Sequence, residues 1–163
     1  MIRRWMTVSP PDRLIGACET ALRRLEATRG DPPHVFAETG EVLFWLYAIG
    51  DTGKPQDHLL SPGFQWARHQ YAHGNLITEP VEYHYGATLG HFVLGKSRLG
   101  EPPLHRWAAR PEIGRYEKAH PRPELEESDY DARLAGQPVI ATLWNELSEL
   151  VAIVNPRDLA RDE

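Results

Sequence analysis

The chain predicts an all-α fold, a four- to five-helix up-and-down bundle with a short β and loop insertion between the third and fourth helices. Three observations carry this expectation. Apolar residues recur at three- and four-residue spacing over both ends of the chain, the period of a helix that buries one face. Glycine and proline clusters interrupt the pattern at intervals suited to helix ends. Between about 79 and 123 the helical period lapses, and prolines and short alternating runs replace it.

The first helix opens at Ser9-Pro10-Pro11-Asp12, a cap-like entry with prolines where an early helix tolerates them. Leu14, Ala17, Cys18, Ala21, Leu22 and Leu25 then form one apolar face, and Gly30-Asp31-Pro32-Pro33 ends it. The second helix runs from about Pro33 to Ile49, with Phe36, Leu43, Phe44 and Tyr47 apolar and Glu38 and Glu41 polar. Gly50-Asp51-Thr52-Gly53 closes it by turn chemistry. The third extends from near Leu60 to Gly74-Asn75, where Leu60, Phe64, Ala67 and Tyr71 make a core-facing stripe. Glycine or asparagine just past a helix is the expected terminator, because either adopts positive φ.

Within the insertion, Val81-Glu82-Tyr83-His84-Tyr85 and His91-Phe92-Val93-Leu94 read as short strands or a hairpin. Leu99 to Pro123, with five prolines, reads as an elaborated loop. The acids Glu124, Glu126, Glu127, Asp129 and Asp131 then precede the fourth helix, where they suit its N-terminal dipole. That helix continues through Leu134, Val139, Leu143, Leu147 and Leu150 to about Val154, with Gly136 and Pro138 placed to kink it or delay its start.

At 163 residues the chain suits one domain, 1–163, with a single sizeable core. No apolar run approaches the roughly 20 residues that span a bilayer, so no membrane partner is expected. The start, MIRRWMTVSPPDR, lacks the apolar segment of a secretory signal. Cys18 is the lone cysteine, which excludes an internal disulfide and points to a reducing cytoplasm. The net charge is −5, unevenly spread. Segment 91–123 carries seven Lys/Arg against three Glu, and 124–163 three Arg against ten acids. An acidic total can hide a basic patch that steers phosphates, although a solvated loop explains the same arginines.

The run Trp66-Ala67-Arg68-His69-Gln70-Tyr71-Ala72-His73-Gly74-Asn75 falls in the last two turns of the third helix. His69 and His73, at i and i+4, lie about 40° apart on one face, whereas Arg68 and His73 lie roughly 140° apart. The arginine must bend round the helix to join them. Its fork of donors suits a phosphate, and a histidine at a helix C-terminus has its cation favoured by the dipole. Charge neutralisation and proton transfer together suffice for RNA cleavage by the RNA's own 2′-hydroxyl, with no metal or cofactor required.

Arg68-His69-Gln70-Tyr71-Ala72-His73 resembles the R-x4-H signature of the HEPN superfamily, with His69 in the place where a polar residue follows the arginine. The position late in the third of four long helices is similar too. Fainter is a resemblance to actinobacterial HEPN-like proteins that share a Tyr…Leu-Ala-Gly-x-Pro-Val run, here Tyr130 to Val139. The resemblance implies a helical bundle that homodimerises, with two motifs meeting in a composite cleft. It also implies a metal-independent endoribonuclease, a toxin or phage-defence effector, whose partners are RNA and an antitoxin or defence protein. Catalysis would fall to Arg68, His73 and His69. One departure stands out. HEPN toxins silenced by an adenylylating nucleotidyltransferase carry a tyrosine where this chain has Asn75, so that control is not implied.

Other readings of the same residues stay open. Arg68 and His73 also suit a surface arginine and a histidine that caps helix-end carbonyls. A HEPN-like chain without catalysis would serve as a dimerisation or binding module. The His69/His73 spacing also fits zinc, but the residue after the first histidine is Gln70, not the glutamate of a zincin, and no third ligand is evident. Glu38 and Glu41 form a solvated face or, less often, point into a bundle. Phe44, Trp45 and Tyr47 suit a core or a dimer interface. Tyr83, Tyr85 and Trp107, among His84, His105, Arg106 and Arg110, would either stack on RNA bases or close the base of the insertion.

Overall fold

The computed structural model describes residues 10–28, 32–52, 58–81, 105–113 and 123–155. Among them the protein is an all-α helical bundle of five helices with one two-stranded sheet. The helices are α1 (Pro10–Ala27), α2 (Pro32–Gly50), α3 (Pro62–Ala72), α4 (Pro123–Arg133) and α5 (Val139–Val154), and the strands are β1 (Thr78–Pro80) and β2 (His105–Trp107). No helix among the described residues is long and apolar enough to cross a membrane.

The predicted stripes form the core. Cys18, Ala21, Leu22 and Leu25 of α1 meet Val35, Val42, Leu43, Leu46 and Ile49 of α2. Phe64 and Ala67 of α3 join Leu143, Leu147 and Leu150 of α5. Phe44, read as core or dimer interface, lies outside the core and is 54% exposed. Burial removes Cys18 from chemistry, since desolvation pushes its thiol up to about 12. Glu38 and Glu41 lie on the solvent side, both paired with Arg24 of α1.

The final helical stretch is two helices rather than one. The acids from Glu124 to Asp131 build α4 instead of preceding a longer helix. Gly136 adopts a φ of +74°, open to glycine at no steric cost, and Pro138 then restarts the chain as the residue before α5.

The insertion also differs from the pattern read from its residues. Its strands are Thr78–Pro80 and His105–Trp107, paired antiparallel with Thr78 opposite Trp107. Val81 lies outside both, and the remaining residues of the two expected strands fall outside the described ones, as do Tyr83, His84 and Tyr85. Nor is His105–Trp107 a loop. The Trp107 N–H donates to the Gln137 carbonyl at 3.0 Å, the Gly136 N–H donates to the Trp107 carbonyl at 2.9 Å, and the Ala108 N–H to that of Ile77 at 2.9 Å. The fully buried Trp107 indole donates to Thr142 Oγ1 at 2.6 Å. Trp107 thus closes the base of the insertion. Of the basic residues nearby, Arg106 pairs with Glu79 at 2.6 Å, and Arg110 with Glu127 and, at 2.9 Å, with Asp131.

Helix α3 rests on α4 through Gly63. A Cβ there would lie 2.9 Å from the Tyr130 backbone nitrogen, closer than real contacts allow. Gly63→Ala is therefore expected to force the helices apart and to lower stability by about 1–3 kcal/mol, read as a drop in the urea midpoint. An unchanged midpoint would mean that the α3–α4 approach is loose.

The candidate site at the end of the third helix

The motif helix is held at both ends. Pro62 sits in its first turn, where a missing N–H costs nothing. The Ser61 hydroxyl makes no capping bond; two carboxylates from elsewhere in the chain supply one each. Asp129 of α4 accepts the Gly63 N–H at 2.7 Å, and Glu146 of α5 accepts the Ser61 N–H at 2.8 Å. Both place negative charge at the positive end of the helix dipole. Glu146 is 2% exposed; burial raises its carboxyl above the usual range, against the Ser61 N–H and Arg133, which favour the anion.

The other end closes as the glycine and asparagine predict. Gly74 has φ +78°; its N–H donates to the Tyr71 carbonyl at 2.8 Å and that of Asn75 to Gln70 at 3.1 Å, a Schellman motif. The Asn75 amide adds a 2.6 Å bond to the Gln70 side chain. Helix α3 ends at Ala72, so His73 is its C-cap residue rather than part of the last turn.

His69 and His73 come together as the spacing predicts. Their ring centroids are 4.6 Å apart at 71°, edge to face, with His73 exposed and His69 half-buried. Arg68 is held elsewhere. Its guanidinium carbon lies 4.0 Å from the centre of the Tyr47 ring on α2, a cation–π contact. Within one chain the helix geometry therefore separates the motif into an edge-to-face histidine pair and an arginine turned toward α2. Among the described residues no group of three or more His, Cys, Asp or Glu side chains is placed to hold a metal ion.

Two residues join the site that the sequence did not mark for it. Tyr47 read as core or interface, and His58 carried no assigned role. The His58 ring stacks on Tyr47 with centroids 4.3 Å apart, while its Nδ1 accepts the Leu60 N–H at 3.2 Å. Gly50 makes this approach possible, because a Cβ there would meet His58 Cε1 at 2.7 Å. The only advance signal was the glycine turn that brings the ends of α2 and α3 together.

Comparison with protein-family models, with curated proteins and with solved structures finds no match. Burial pushes His58 below its ordinary 6.5; Arg68 acts in the same direction, and Asp51 and the Tyr47 carbonyl oppose it. A histidine with a lowered folded pKa contributes full stability above its unfolded pKa, and that contribution is lost as pH falls toward the folded value. The urea midpoint should therefore fall below pH 6.5 and fall less steeply in His58→Gln. Parallel pH dependence in the two proteins would show that His58 is not the group responsible.

Proposed function

We propose that this protein is a metal-independent endoribonuclease of the HEPN type, working as a homodimer in the role of a toxin or phage-defence effector. The observation that carries this reading is an exposed histidine packed edge to face with a second one at a capped helix end, beside an arginine. The RNA 2′-oxygen attacks the adjacent phosphorus and the bond to the 5′-oxygen breaks. A neutral histidine takes the 2′-hydroxyl proton and a protonated one supplies a proton to the departing 5′-oxygen. The products are a 2′,3′-cyclic phosphate and a 5′-hydroxyl. Arg68 neutralises the phosphate as charge accumulates there, His73 moves the proton, and His69 orients its ring. Two copies would give two such sites, and in each His73 serves both proton steps, first as base and then, once protonated, as acid. An RNA partner, and a protein that restrains the activity, complete the proposal.

The test uses mixed cellular RNA in EDTA, beside an oligonucleotide with a single ribonucleotide in a deoxy background. Cleavage in EDTA at the ribonucleotide, leaving a cyclic phosphate, is the expected result. Activity that disappears in EDTA, or that also cuts an all-deoxy strand, would overturn it. A non-catalytic binding module is the second reading, favoured by the seat of Arg68 on Tyr47. It predicts RNA retention without cleavage.

A further inference from the structure

A second feature lies along the seam between α1 and α5. Asp12, Glu19 and Glu26 recur every seven residues on α1, so each is only about 20° round the helix from the last. The outer two are tied to α5. Asp12 Oδ1 accepts the Asn155 amide at 3.0 Å, and Glu26 Oε1 accepts the Trp144 indole N–H at 2.8 Å. These bonds join opposite ends of the two helices, which therefore run antiparallel.

The middle carboxylate has no such tie. Glu19 is half-buried and makes no hydrogen bond or ion pair among the described residues. Beside it the seam opens into a groove of about 300 Å³ lined by Glu19, Trp144, Leu147, Ser148, Val151, Ala152 and Asn155. The space exists because α5 presents small residues, Ser148 and Ala152, at this level. The Ser148 hydroxyl donates to the Trp144 carbonyl at 2.8 Å, so it is already engaged within its own helix. The lining thus combines a carboxylate, an indole and the apolar side chains of Leu147 and Val151.

We propose that this groove receives an arginine side chain presented by a partner polypeptide. The volume lies at the lower limit of ligand pockets and suits one side chain rather than an extended molecule. The apolar lining accommodates a methylene stem, as long basic side chains prefer. A guanidinium pairs with a carboxylate through two parallel bonds and stacks on an indole face, whereas an ammonium does only part of this. Asp12 and Glu26 are already bonded at either end of the seam, so Glu19 is the carboxylate left to a basic occupant.

The probes are N-acetyl-arginine N-methylamide and its lysine and citrulline counterparts, titrated into the 15N-labelled full chain. The arginine probe should give saturable shifts at the Trp144 indole N–H and at the amides of residues 147–152. Glu19→Gln, nearly isosteric, should weaken binding about tenfold or more, and Trp144→Leu should do the same. The citrulline probe, equal in shape but uncharged, should give no saturable shift. Absence of saturable shifts with arginine, equal binding by citrulline, or indifference to Glu19→Gln would each overturn the proposal. Equal binding by the lysine probe would overturn the assignment to arginine. None of these readings depends on RNA cleavage, so the two proposals stand or fall separately.

Discussion

Replacing Trp107 with alanine is expected to cost about 3–5 kcal/mol, a large fraction of the stability of a domain this size. The indole is fully buried and edge-on to Phe64 of α3, with ring centres 5.7 Å apart. Truncation leaves a cavity between α3 and α5 that the surrounding backbone cannot close, because β2 is pinned to β1 on one side and to residues 135–138 on the other. The indole bond to Thr142 is the lesser part. Thr142 Oγ1 is also within 3.0 Å of the Pro138 carbonyl, so it keeps a partner when the indole is gone. Trp107→Phe, which retains an aromatic ring against Phe64, should accordingly cost about half as much or less. Urea unfolding monitored by far-UV circular dichroism measures both. A loss below about 1 kcal/mol for the alanine variant would mean that the end of the insertion lies on the core without supporting it.

The contrast between Trp107 and the helical stripes shows what a sequence reveals and what it hides. Phe64 and Ala67 announce their burial by spacing, because a helix brings i and i+3 to one face whatever else the chain does. Gly74 announces a helix end through its positive φ. Trp107 has no comparable local signal. It is buried because β2 pairs with a strand 27 positions earlier and with the α4–α5 connection, and non-local pairing leaves little trace in a run as short as His105–Trp107. The acids of α4 misled for a related reason. Acids suit the start of any helix, but Asp129 serves the start of α3, a different helix 66 positions back in the chain. At the candidate site the division is the same. The stacking of His69 on His73 follows from helical spacing, whereas the seat of Arg68 depends on Tyr47 of α2, and that of His58 on the room left by Gly50.

His73→Ala is expected to lower RNA cleavage by about 10²–10⁴-fold, the usual contribution of a positioned proton-transfer group. Arg68→Ala should lower it by about 10²–10³-fold, through loss of charge stabilisation at the phosphate. The urea midpoint of His73→Ala should stay near that of the wild type, since the side chain is exposed and the helix end is closed by backbone bonds of Gly74 and Asn75. The more discriminating experiment mixes the two variants. Within one chain the arginine faces Tyr47 while the histidines face one another, so an operating site needs either a swing of Arg68 or an arginine from a second copy. If Arg68 acts with the His73 of a symmetry-related subunit, unfolding and refolding the two variants together yields mixed dimers with one intact pair each. With random pairing, half the dimers are mixed and half their sites intact, so about a quarter of wild-type activity should return. If Arg68 instead swings off Tyr47 within its own chain, mixing restores nothing, and Tyr47→Leu should then raise cleavage by releasing the guanidinium. Full inactivity of wild type, both variants and the mixture would leave the binding module as the function of this helix end, with Arg68 kept on Tyr47 as part of its surface.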